Sequence, residues 1–131
     1  MENLKRILIG DKTYPIKLDL NVLERIQEEY STIHEFERKI LGLRVARDKD
    51  GKALYMDNGK PRMVSVEPSV KAINTVLPMM VNEGLAVEAE VTRKGFEPVS
   101  DLWVISNCHI DYTVLAKMIH SEFKRCFEVK K

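Results

Sequence analysis

The chain has 131 residues, 44% of them hydrophobic and 31% charged. That length suits one domain, and the apolar content is enough for a core, which excludes a chain disordered throughout. With 21 basic and 20 acidic residues the formal net charge is +1, so no long-range field draws the chain to nucleic acid or an anionic membrane.

The opening LKRILIG-DK-TYPIKLDL reads as a β-hairpin, with turn chemistry at Gly10-Asp11-Lys12 between two β-rich runs. On its second strand Tyr14, Ile16 and Leu18 share one face, and Thr13, Pro15 and Lys17 the other. Pro15 cannot donate to a ladder, so the strand is an edge on that side. From Asp19 to Ile40 follow two short amphipathic helices broken at Tyr30-Ser31-Thr32. Asn21 with Glu24, and Thr32 with Glu35, carry the capping signature. Leu20, Leu23, Ile26 and Tyr30 form one apolar stripe, and Ile33, Phe36 and Ile40 the next. Gly42 stops the second helix.

Between Leu43 and Val66 the pattern turns to short strand-like runs around Asp50-Gly51 and Asn58-Gly59. This predicts a three-stranded meander or β-ribbon inserted into the domain, too short to bury a core alone. Pro68 and Ser69 open a third helix with Val70, Ile73, Val76, Leu77 and Met80 on its stripe and its end at Gly84. Pro78 should kink or split it. LAVEAEVTRKG continues as a weak helix to Gly95. Ser100 caps a short helix carrying Leu102, Trp103 and Ile105, and Asp111 caps the last, with Tyr112, Leu115, Ile119, Phe123 and Cys126 on one side. No internal repeat or low-complexity tract is evident. The fold class is α+β and mainly helical: residues 1–131 form a single domain, an N-terminal β-hairpin followed by a helical bundle, with a β-ribbon insertion at about 43–66.

No reaction centre emerges. Cys108, His109, His120 and Cys126 lack paired metal-ligand spacing, and buried thiols with surface histidines explain them better. Cys108 beside His109 offers no third, orienting group for a nucleophile. Counted as a calcium loop from Asp48, the sixth residue is Ala53 and the twelfth Gly59, which rejects it. No phosphate-cradling glycine run occurs, and Glu24, Glu28 and Glu29 read as solvated charge. Tyr14, Tyr55 and Trp103 do not interleave with bases as a nucleic-acid surface requires. The two cysteines, and an opening MENLKRILIG without an apolar h-region, suggest a reducing intracellular setting. No apolar run approaches the roughly 20 residues of a membrane helix. Met79, Met80, Phe96 and Trp103 are a soft apolar supply suited to an adaptable partner. Burial of all four is the plainer reading.

The segment ILIGDKTYPIKLDLNVLERIQEEYSTIHEFERKI resembles the start of the tail assembly chaperones of long-tailed bacteriophages and prophages of Gram-positive hosts. MMVNEGLAVEAEV and GFEPVSDLWVI are similar to later segments of that group; Leu43 to Val66, where relatives are shorter, is not. The resemblance implies a non-enzymatic protein without cofactor or metal. Its partners would be the phage tape-measure protein and the tail-tube protein, its place the host cytoplasm, and neither nucleic acid nor membrane would be involved. An edge strand and apolar helices permit monomer, dimer or ring. On this reading Met79, Met80, Phe96 and Trp103 would be the partner-binding residues. The alternative is a small prophage nucleic-acid-binding or regulatory protein.

Overall fold

The computed structural model describes residues 3–128. It is mixed α+β: β1 (Lys5–Ile9), β2 (Lys12–Ile16), α1 (Leu20–Tyr30), α2 (Ile33–Leu41), β3 (Leu43–Val45), β4 (Met63–Ser65), α3 (Val70–Thr92), α4 (Asp101–Asn107) and α5 (Tyr112–Cys126).

The hairpin turns on Gly10, at φ +67°, followed by Asp11 at negative φ, the signature of a type II′ turn. Antiparallel pairing puts Ile9 opposite Lys12, Ile7 opposite Tyr14 and Lys5 opposite Ile16. Ile7, Ile9 and Ile16 are buried, and so is Pro15 from the other face. Pro15 stands opposite Arg6, at a position whose backbone groups face away from β1 in this register. Its missing N–H therefore removes no ladder bond. What lies along that outer edge is α3. The Lys17 N–H donates to the Met80 carbonyl at 3.0 Å. A Cβ on Gly84 would come within 2.3 Å of the Pro15 carbonyl oxygen.

That close approach corrects the expectation that Gly84 ends a helix and a weaker one follows to Gly95. One helix runs from Val70 to Thr92, through both Pro78 and Gly84. Gly84 serves contact rather than termination: without a side chain, strand backbone can lie directly on helix backbone. The helix ends instead at Arg93, in the left-handed region at φ 57°. Pro78 does not split it; six successive side chains from Val76 to Val81 are buried. A helix enclosed on all sides loses its polar face, and the middle of α3 is so enclosed, the helix touching β2, α1, α2, α4 and α5.

Asp19, not Asn21, caps α1: its carboxylate accepts from the N–H groups of Asn21 (3.1 Å) and Val22 (3.3 Å). Asn21 lies inside the helix and donates its amide to Glu83 of α3 at 2.9 Å. The break between α1 and α2 is a three-residue turn, with Ser31 at φ 64° and the Thr32 N–H bonded to the Tyr30 carbonyl. Thr32 then caps α2 through the Glu35 N–H at 3.0 Å. Gly42 closes α2 in the left-handed conformation. α2 packs on α5, where Phe36 is fully buried between Tyr30 and Phe123, ring centroids 5.4 and 6.1 Å away. Ser100 and Asp111 cap α4 and α5 as the sequence implied.

Residues 43–66 are not a three-stranded meander. β3 and β4 pair as a short stem, Leu43 opposite Ser65 and Val45 opposite Met63. Above the stem the chain splits into two arms, closed by the bridges Arg47–Ala53 and Tyr55–Pro61. Three backbone hydrogen bonds lock the junction in a cycle: Ala46 N–H to Arg62 O, Leu54 N–H to Ala46 O, and Arg62 N–H to Leu54 O, at 2.7, 2.9 and 2.9 Å. The arms repeat one another. Gly51 and Gly59 both sit at φ +83°. Each donates its N–H back to the residue three before it, Asp48 or Met56. ARDKDGKA and LYMDNGKP are thus one short unit used twice, a repeat the residue types alone disguise.

Candidate partner-binding groove

After α3 ends at Arg93, the chain doubles back along the helix before entering α4. Asn82 holds it there. Its amide donates to the Val99 carbonyl at 2.9 Å, and the Val99 N–H donates to its Oδ1 at 2.8 Å. The pair imitates one rung of a sheet ladder, made by a side chain. The returning segment and α3 then enclose an open groove of about 560 Å³. Leu85 and Ala89 of the helix form one wall, Phe96, Pro98 and Val99 the other, and Tyr14 of β2 closes one side. Glu88, Lys94 and Glu97 contribute charge. Glu88 is itself ion-paired to Arg6 of β1.

The four residues singled out from the sequence scatter across this region. Phe96 lines the groove and is 41% exposed. Trp103 is half-buried outside the groove lining, meeting Tyr14 edge to face at a centroid distance of 5.4 Å. Met79 and Met80 lie in the core on the buried length of α3, where Met80 has no exposed surface at all. The structure therefore brings Phe96 and, through Tyr14, Trp103 to one place, and leaves the two methionines inside. Tyr14, Leu85 and Ala89 were missed. The signal for Leu85 and Ala89 was the apolar spacing of LAVEA on a continuous α3, hidden by breaking that helix at Gly84; Tyr14, on β2, is joined to them only by the fold.

The polar clusters elsewhere are structural. Glu37 of α2 meets His120 of α5 at 3.0 Å and His34 at 3.8 Å, tying two helices together. Glu122, buried, lies 3.5 Å from Arg125. Where α1 begins, a hydrogen bond with Asp19, helped by burial, raises the Glu83 carboxyl above the ordinary carboxylate range. Burial likewise raises the Cys126 thiol, the reverse of what a reactive cysteine needs. Asp111 is held below its usual value by the hydrogen bonds it accepts from Thr113 as the α5 cap. Among the described residues no three His, Cys, Asp or Glu side chains could together hold a metal ion. No described helix is long and apolar enough to cross a membrane. Comparison with protein-family models, curated proteins and solved structures finds no match for this chain.

Proposed function

We propose that this chain is a non-enzymatic tail assembly chaperone of a long-tailed bacteriophage or prophage. It would bind the tape-measure protein in the host cytoplasm and promote assembly of the tail tube around it. The observation that carries the reading is the groove between α3 and the 93–99 segment. It is apolar at Tyr14, Leu85 and Phe96, rimmed by charge, and pinned open by the Asn82–Val99 pair. A chaperone of an aggregation-prone helical client needs such a feature: an apolar trough to take hydrophobic side chains, with charge beside it to keep the complex soluble and the contact reversible. The resemblance of the β1-to-α2 segment to the start of that family supports the choice of client.

Co-expression with the tape-measure and tail-tube proteins of the same gene cluster tests the proposal. The tagged chain should retain the tape-measure protein, and Phe96→Asp should cut the retained amount about tenfold, as loss of one apolar anchor does. Capture of neither tail protein overturns it.

A further inference from the structure

The arms of residues 43–66 are unused by the groove and sit apart from the core. Apart from its partner β4, β3 packs chiefly against α2. The backbone of the arms is closed by the bridges and the junction cycle, and the two-stranded stem leaves only the outer edges of β3 and β4 open. The larger unused feature is side-chain charge, of which Arg47 spends one N–H on the Gly51 carbonyl at 3.1 Å. Between Leu43 and Val66 stand six of the chain's 21 basic residues and three of its 20 acidic ones. Arg44, Arg47, Lys49, Lys52, Lys60 and Arg62 are all exposed. Asp48 spends its carboxylate within its own arm, accepting from the N–H groups of Asp50 and Lys52. The positive excess therefore faces solvent, on a chain that is otherwise slightly acidic.

The charge meets a concave surface where the stem leaves α2. A groove of about 350 Å³ lies between them. Its floor is the half-buried pair Leu43 and Val45, and its sides carry Arg38, Lys39, Arg44 and Arg47. Glu35 is the one acid on its lining. Four cations around an apolar floor fit a chain segment that alternates carboxylates with a large aliphatic side chain. Arginine is suited to this: its planar fork engages a carboxylate through two bonds at once.

We infer that this basic groove, with the arms beside it, docks an acidic amphipathic segment of another polypeptide. Nucleic acid is the poorer fit. Duplex DNA presents about one negative charge per 1.7 Å, whereas Asp48, Asp50 and Asp57 stand between the cations of the arms, and Tyr55 is the single aromatic there, too few for base stacking. The inference deepens the proposed function and rests on its premise that the chain binds a polypeptide. It assigns a second contact, electrostatic where the first is apolar.

The test uses the full-length chain and a fluorescein-labelled helical peptide with Glu and Leu at amphipathic spacing. A Lys-for-Glu version of the peptide and a single-stranded oligonucleotide serve as the other probes. The acidic peptide should bind at low ionic strength and weaken steeply with salt. Arg38→Gln with Arg44→Gln should weaken it about tenfold or more, while circular dichroism and the unfolding midpoint stay those of the parent chain. Should that pair disturb folding, Lys49→Gln with Lys60→Gln on the exposed arms should weaken binding in the same direction. Absence of binding, equal binding of the Lys peptide, tighter binding of the oligonucleotide, or indifference to both variant pairs overturns the inference. Its failure and that of the tail reading are separable. A parent chain that captures a tail protein undiminished by Arg38→Gln with Arg44→Gln leaves the tail reading standing and removes this surface. A chain that takes the acidic peptide but no tail protein does the opposite.

Discussion

Helix α3 and the two-armed β element that precedes it have nearly equal lengths and opposite sources of order. α3 is held by what surrounds it. Its residues from Val76 to Val81 are buried against five other elements, and Gly84 allows the hairpin to lie backbone to backbone on it. The β element is held by itself, through turns, two left-handed glycines and a closed cycle of three backbone hydrogen bonds. Burial yields cooperativity across the molecule; local turn chemistry yields a shape that can be altered without disturbing the rest. The excess of basic over acidic residues is placed on the second kind of structure and the scaffold on the first.

The strongest way to break the comparison is to remove core side chains beside α3. Phe36→Ala should cost about 3–5 kcal/mol in denaturant unfolding, since it empties a fully buried site between Tyr30 and Phe123. A loss below 1 kcal/mol, on the order of a surface change, would mean that α2 and α5 are not packed as described. Gly84→Ala should cost about 2–3 kcal/mol. The added Cβ meets the Pro15 carbonyl oxygen and carbon, which are backbone and cannot swing aside. A neutral result there would refute the close strand–helix approach. Next is Asn82→Ala, which strips both hydrogen bonds from Val99 and should cost about 1–2 kcal/mol while amide exchange rises along 93–99.

Gly51→Ala together with Gly59→Ala sharpens the contrast from the other side. Both sit at φ +83° with open space around them, so each substitution strains an arm by about 1 kcal/mol. Exchange should quicken in the arms, while the global unfolding free energy changes by less than about 0.5 kcal/mol. A global loss as large as that of Gly84→Ala would show that the arms fold with the core. The smallest effect is Glu83→Gln. A carboxyl whose folded pKa is raised binds its proton more tightly in the native state. That contribution to stability is complete below the unfolded value and lost as pH rises through the folded one. The amide imitates the protonated form, so Glu83→Gln should flatten this slope and raise stability at neutral pH by at most about 0.5 kcal/mol.

Much of the local structure was legible in the residues. The hairpin around Gly10, the caps at Thr32, Ser69, Ser100 and Asp111, and the stop at Gly42 all stand where turn and capping chemistry placed them. These features depend on hydrogen bonds between groups two to four residues apart. The candidate groove was legible only in Phe96. Its other walls come from β2, α3 and the returning segment, and Tyr14 lies far from Leu85 and Val99 in sequence. The Asn82–Val99 pair spans 17 residues and leaves no pattern a window of helical length could register.

Residue types and short spacings thus determined by themselves where most helices begin and end and how the hairpin turns, because those choices are settled within one turn of backbone. Tertiary structure alone decided which glycine terminates a helix and which admits a neighbour. It decided that Met79 and Met80 lie inside while Phe96 stays out, and that three short runs meet in a cyclic junction. Each of those outcomes depends on the distance between elements remote in sequence, and that distance is fixed by how the whole core packs.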